Sequence, residues 1–157
     1  MAQTSQSAAR SAGPAVHSLD HFAFTVPDLD VAARFYGEFG LDVRRVDGRI
    51  DLYAFGNPHR WGSIHRAPGR KKLQYLCFGA YKEDIESMRD RLESMRALRR
   101  EPHPLAHSSG LWCEDPQGIA VQVIAGPKVS PSENMFSPST ARSTTGNRVV
   151  TRLAPFL

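Results

Sequence analysis

From Leu19 to Val26 the side chains alternate: Phe22, Phe24 and Val26 fall on one face, and His21, Ala23 and Thr25 on the other. A period of two is that of a β-strand with one apolar face. Pro27-Asp28 ends the run, and from Leu29 the period changes. Leu29, Ala32, Ala33, Tyr36 and Phe39 recur at helical spacing between an N-capping Asp28 and the stop signal Gly40, which predicts an amphipathic helix of about three turns. Three short strands are then predicted, Leu41 to Val46, Arg49 to Phe55 and Trp61 to Arg66. They are separated by Asp47-Gly48, a strong hairpin signal, and by Gly56-Asn57-Pro58.

The same order returns from Leu73. Leu73 to Gly79 reads as a strand and Glu83 to Arg100 as a helix, with Ile85, Met88, Leu92 and Met95 as its buried stripe. Acidic residues open that segment (Glu83, Asp84, Glu86) and Arg96, Arg99 and Arg100 close it, which suits the helix dipole and explains the arginines without a ligand. Pro102 and Pro104 prevent continuation. Leu111 to Glu114 is a strand, Asp115-Pro116-Gln117-Gly118 a turn, and Ile119 to Ala125 the last strand. In that strand Ile119, Val121 and Val123 share a face, leaving Gln122 between Ala120 and Ile124 as a polar residue on an apolar stripe. Leu19 and Leu73 stand at the same interval as Phe24 and Phe78. A duplicated βαβββ unit accounts for the pattern.

With 157 residues and 41% hydrophobic side chains, the chain has the size of one domain able to bury a core. No run approaches the roughly 18 apolar residues of a membrane helix, so no membrane partner is expected. The net charge of +4 suggests nucleic acid until it is divided along the chain. Residues 18–127 carry 15 basic and 15 acidic groups, so the excess belongs to the ends. A neutral body lacks the basic face that displaces counterions from nucleic acid. Arg66, Arg70, Lys71 and Lys72 flank a Pro-Gly turn and read as a solvated loop. Residues 1–17, with no apolar signal core, read as a disordered arm, and 128–157 as a Ser/Thr/Pro-rich linker-like tail. Cys77 and Cys113 are too few for a disulfide framework. Reduced thiols and a cytoplasmic setting are expected.

Phosphate-binding glycine loops, the G-x-S-x-G elbow, H-E-x-x-H and C-x-x-C are all missing from the sequence. His107 beside Ser108 and Ser109 reads as a polar loop, because nothing in the sequence places an acid to orient the histidine. His59 and His103, next to prolines, are expected to be exposed.

The chemistry is carried on strands. The opening Leu19-Asp20-His21-Phe22-Ala23-Phe24-Thr25-Val26-Pro27-Asp28, the helix with Arg34-Phe35-Tyr36, and the closing Asp115-Pro116-Gln117-Gly118 resemble the vicinal oxygen chelate superfamily. That superfamily contains glyoxalase I, bleomycin-resistance proteins and the type I extradiol ring-cleavage dioxygenases. The resemblance covers residues 18–127 and implies an α+β fold, one module of two βαβββ units whose curled mixed sheet forms a cup. It is closest to the N-terminal module of an extradiol dioxygenase, and Gly126-Pro127-Lys128-Val129 looks like the connector to a second module.

The resemblance implies Fe(II) held by two histidines and a glutamate from the first strand of each unit and the last strand. His21 matches the first position, Tyr75 falls at the second and Gln122 at the third. The carboxylate is therefore lost, and a phenol must shed a proton of reference pKa about 10 to serve. His21, Gln122 and His65, the last from the fourth strand, are the candidate metal residues, and His21, Tyr75, Trp112 and Gln122 the candidate cleft lining. The reading is of a non-catalytic module with a degenerate metal site, expected to hold Fe(II) weakly. Its partners would be a catecholic small molecule or a second dioxygenase module. Two alternatives remain: a homodimeric small-molecule binding or resistance-type protein, and a glyoxalase-like metalloenzyme.

Overall fold

The computed structural model describes residues 13–99, 101–107 and 109–128. Residues 1–12 of the expected arm, Ser108, and 129–157 of the expected tail lie outside the described residues. Eleven elements are present in chain order: β1 (Val16–Val26), α1 (Leu29–Phe39), β2 (Asp42–Val46), β3 (Arg49–Tyr53), β4 (Arg60–Arg66), β5 (Lys72–Ala80), a 3₁₀ turn (Lys82–Asp84), α2 (Ile85–Ser94), β6 (Leu98–Arg99), β7 (Leu111–Glu114) and β8 (Ala120–Ala125). The strands form one open sheet in the order β2-β3-β4-β1-β5-β8-β7-β6. Each unit keeps its strands together, with β1 parallel to β4 and β5 parallel to β8, and the units meet at the antiparallel pair β1–β5. This is the mixed sheet of two βαβββ units that the resemblance implies.

Local chemistry sets the boundaries. The Asp28 carboxylate accepts from the N–H groups of Asp30 (2.8 Å) and Val31 (3.1 Å), and Gly40 at φ 106° lets the Leu41 N–H reach back to Tyr36 O. Asp47 and Gly48 both have positive φ, as a two-residue hairpin turn between β2 and β3 requires. β1 begins at Val16, two residues inside the expected arm, because His17 packs on Tyr81 and donates from Nε2 to Gly126 O (3.0 Å).

The second helix is shorter than its charge pattern predicts. Helical residues end at Ser94, Arg96 takes a left-handed φ of 55°, and the Ala97 N–H bonds back to Leu92 O. Leu98 then leaves as β6 to pack with Leu111 and Val123, burial that a continued helix would forgo. Arg99 therefore stands on a strand, ion-paired with Glu114 at 3.0 Å, and Met95 is exposed rather than part of the stripe. Arg100 lies outside the described residues.

Two cores flank the helices. α1 covers Phe24, Val26, Ile50, Leu52 and Ile64, each large apolar side chain contributing about 1.5–3 kcal/mol by burial, and α2 covers Ala80, Leu111 and Val123. A third cluster, Ala23, Tyr75, Cys77, Trp112 and Ala120, lies on the opposite face, inside the cup. Among the described residues, Leu105 and Ala106 from the β6–β7 connection cover it.

That connection docks through Gly110, where a Cβ would stand 2.6 Å from the backbone oxygen of Val123 and 3.2 Å from Gln122 Nε2. Backbone cannot yield as a side-chain tip can, so Gly110→Ala should destabilise the fold by about 1–3 kcal/mol in urea denaturation. A loss below about 0.5 kcal/mol, the ordinary surface value, would contradict this docking.

Candidate functional site in the cup

The pairing of β1 with β5 arranges the site. His21 lies opposite Cys77 and Ala23 opposite Tyr75. His21 and Tyr75 are separated by 54 residues, and so are Ala23 and Cys77, so a pseudo-twofold axis exchanges the two pairs. The pair carries three irregularities, at His17 and Asp20 on β1 and at Gln74 on β5, and the last two exchange. The parallel pairs extend the relation: Ala23 lies beside Ser63 as Cys77 lies beside Gln122, and Thr25 beside His65 as Gly79 beside Ile124. Tyr75 is thus the positional equivalent of His21, whereas His65 corresponds to Ile124 and not to Gln122.

His21, Tyr75, Gln122 and Trp112 are brought together, but they fill the cup. Tyr75 is 1%, Gln122 0% and Trp112 3% exposed. The Tyr75 hydroxyl lies 3.2 Å from His21 Nε2, and its ring meets His21, Trp112 and His103 at centroid distances of 5.4–5.6 Å. His103 is accordingly half-buried, not exposed, since aromatic packing holds it. His59 is half-buried as well: its Nε2 donates to the backbone oxygen of Asp20 at 2.7 Å and its ring meets Trp61 edge-on.

Asp20 fixes the state of His21. Its carboxylate is 2.6 Å from His21 Nδ1. Burial pushes the Asp20 carboxyl up, but the hydrogen bond from His21 and the fields of His21, His59 and Arg60 outweigh it, and the group titrates below its ordinary value. An ionised carboxylate can only accept, so Nδ1 carries the proton. In the Nδ1–H tautomer Nε2 is the acceptor for the Tyr75 O–H. Burial raises the Tyr75 phenol above its ordinary value, with Arg60 opposing, so the hydroxyl remains a donor at neutral pH.

His65 goes elsewhere. Its Nε2 is 3.2 Å from Ser63 Oγ, and burial, then Arg49 and His107, hold its pKa below the ordinary value. Arg49 bonds the buried Asp51 at 2.9 Å, and exposed His107 lies 3.4 Å from Arg49. Among the described residues His65 has no hydrogen bond to His21, Tyr75 or Gln122. An open pocket of about 340 Å³ borders the cup, lined by Asp20, His21, Tyr53, His59, Arg60 and Ile124. Sequence reasoning missed Asp20, His59 and Cys77; only the adjacency of Asp20 to His21 and the shared face of Tyr75 and Cys77 pointed to them.

The fold and its strand-borne polar centre define a glyoxalase-type module. Residues 18–123 match the Glyoxalase/Bleomycin resistance protein/Dioxygenase superfamily, and the chain belongs to it. Metapyrocatechase 2 of Cupriavidus necator is 41% identical over 130 residues, 83% of this chain and 40% of that protein. The chain thus spans about 40% of the length of this curated relative. Among solved structures, an extradiol ring-cleaving dioxygenase from B. fuscum matches with a TM-score of 0.60 at 21% identity, over 78% of this chain and 36% of that one. The Mn(II)-bound glyoxalase from Novosphingobium aromaticivorans matches with a TM-score of 0.56 at 21% identity, over 75% of this chain and 44% of its own. These two likenesses establish the fold.

Cys77 is fully buried, and burial, reinforced by Asp20, pushes its thiol up to about 12 from an ordinary 9.0. Between those values the unfolded chain loses a proton that the folded chain keeps, so stability falls as pH rises through this window, by up to about 1.4 kcal/mol per pH unit. Thermal denaturation at pH 8 and pH 11 should show a loss that Cys77→Ala reduces. An unchanged loss would contradict the assignment.

Proposed function

We propose that this chain is the scaffold module of an extradiol-type ring-cleavage dioxygenase, with a degenerate metal position and no ring cleavage of its own. The observation that carries the reading is Tyr75: buried, at the position equivalent to His21, with its hydroxyl on the ring nitrogen a metal would need. Gln122 in the third position offers a neutral amide. Fe(II) wants imidazole and anionic oxygen, and this set presents one imidazole, a phenol raised above its ordinary pKa, and no charge. The residues do not fit the iron of the family.

What the residues do is hold shape. Tyr75, Trp112 and His103 occupy the space in which a substrate would stand, and Leu105 and Ala106 close over them. The length of the metapyrocatechase relative supports a second module as partner, and through it a catecholic substrate. Two free thiols in the described chain are compatible with a reducing cytoplasm.

Anaerobic loading of the isolated chain with Fe(II), followed by catechol or 2,3-dihydroxybiphenyl and oxygen, should give no yellow ring-cleavage product. Oxygen-dependent yellow product that disappears with His21→Ala would overturn the reading.

A further inference from the structure

Asp20 is the extra residue of a β-bulge: β1 advances two residues, Leu19 to His21, while β5 advances one, Phe78 to Cys77. A bulge re-aims a side chain that would otherwise point away from its neighbour. Here it brings the Asp20 carboxylate to the imidazole of His21, although the two residues are adjacent on a strand. An Asp20 oxygen, a His21 ring nitrogen and Cys77 Sγ all lie within 4.8 Å of one another. His21 and Cys77 are buried, and Asp20 and His21 border the open pocket, so the donors are sheltered yet reachable.

We propose that Asp20, His21 and Cys77 form a site for one thiophilic divalent cation of the zinc class. The set shares only His21 with the three positions compared above. It differs from them in chemistry, since a carboxylate, a neutral imidazole and a thiolate cancel the charge of a divalent ion. A thiolate selects zinc-class ions over Fe(II). Protons balance: the metal takes His21 Nδ1, the ring proton moves to Nε2 and is donated to the Tyr75 oxygen, and the Cys77 thiol releases one proton to solvent. A water from the pocket completes four donors. Arg60 faces the same carboxylate and is tolerated because the filled site is neutral. Such an ion fastens β1 to β5 at the seam between the units.

The inference stands whether or not the chain is part of a dioxygenase, and its test does not use ring cleavage. Titrating the metal-free protein with Co(II) should give one equivalent bound, thiolate-to-cobalt charge-transfer absorption, about one proton released per ion, and a higher Tm. Zn(II) should displace the cobalt. Cys113→Ser should keep the absorption and Cys77→Ser should lose it. Asp20→Asn, checked for native circular dichroism, should weaken binding more than the roughly 10- to 100-fold that outer partners of a metal site cost. No charge-transfer band at millimolar Co(II), a band that survives Cys77→Ser, or equal affinity in folded Asp20→Asn overturns the proposal.

Discussion

The antiparallel pair β1–β5 joins the two βαβββ units, and its register decides which side chains meet at the centre of the cup. With His21 opposite Cys77 and Ala23 opposite Tyr75, a histidine and a tyrosine occupy equivalent places across the pseudo-twofold axis. A slip of one residue would turn every one of these side chains to the helix-covered face. The register is held from both sides, by Phe24 and Val26 under α1 and by Ala23, Tyr75 and Cys77 in the cup. The paired bulges at Asp20 and Gln74 belong to the same symmetry, and they separate the roles of the two halves. The first turns a carboxylate onto His21, and the second sets Gln74 Nε2 to donate to Thr25 Oγ1 at 3.0 Å.

The chain Asp20–His21–Tyr75 follows from that register. Its hydrogen bonds run in one direction, from the Tyr75 hydroxyl to His21 Nε2 and from His21 Nδ1 to the carboxylate. In a sheltered cup such a network rigidifies the centre, and aromatic packing by Trp112 and His103 completes it. The family fold is retained while the space it encloses is spent on packing. Polar variety persists at the rim, where Arg49, Asp51, Arg60 and His59 gather around the open pocket and the end of β3.

Much of this was legible in the sequence. Period-2 alternation placed His21 and Ala23 on one face and Phe22 and Phe24 on the other, and the repeat interval aligned Tyr75 with His21. The polar Gln122 on an apolar stripe was visible for the same reason, and it is fully buried. The errors have a common origin in tertiary packing. Helical charge order extended α2 to Arg100, but the burial of Leu98 against Leu111 and Val123 ends it at Ser94. Proline neighbours made His59 and His103 look exposed, but long-range partners hold both. Asp20 escaped notice because strand alternation puts it on the far face, and only a bulge, which leaves no local signal there, reverses that.

The central proposal is that Tyr75 and Gln122 occupy the metal positions of a glyoxalase-type cup and close it. Restoring the family's donors tests this directly: Tyr75→His combined with Gln122→Glu, with anaerobic Fe(II) binding measured on the folded protein. The account predicts one tightly bound Fe(II) per chain where the parent binds weakly, lost again when His21→Ala is added. A folded double variant with no gain in Fe(II) affinity, or a gain indifferent to His21, would contradict it.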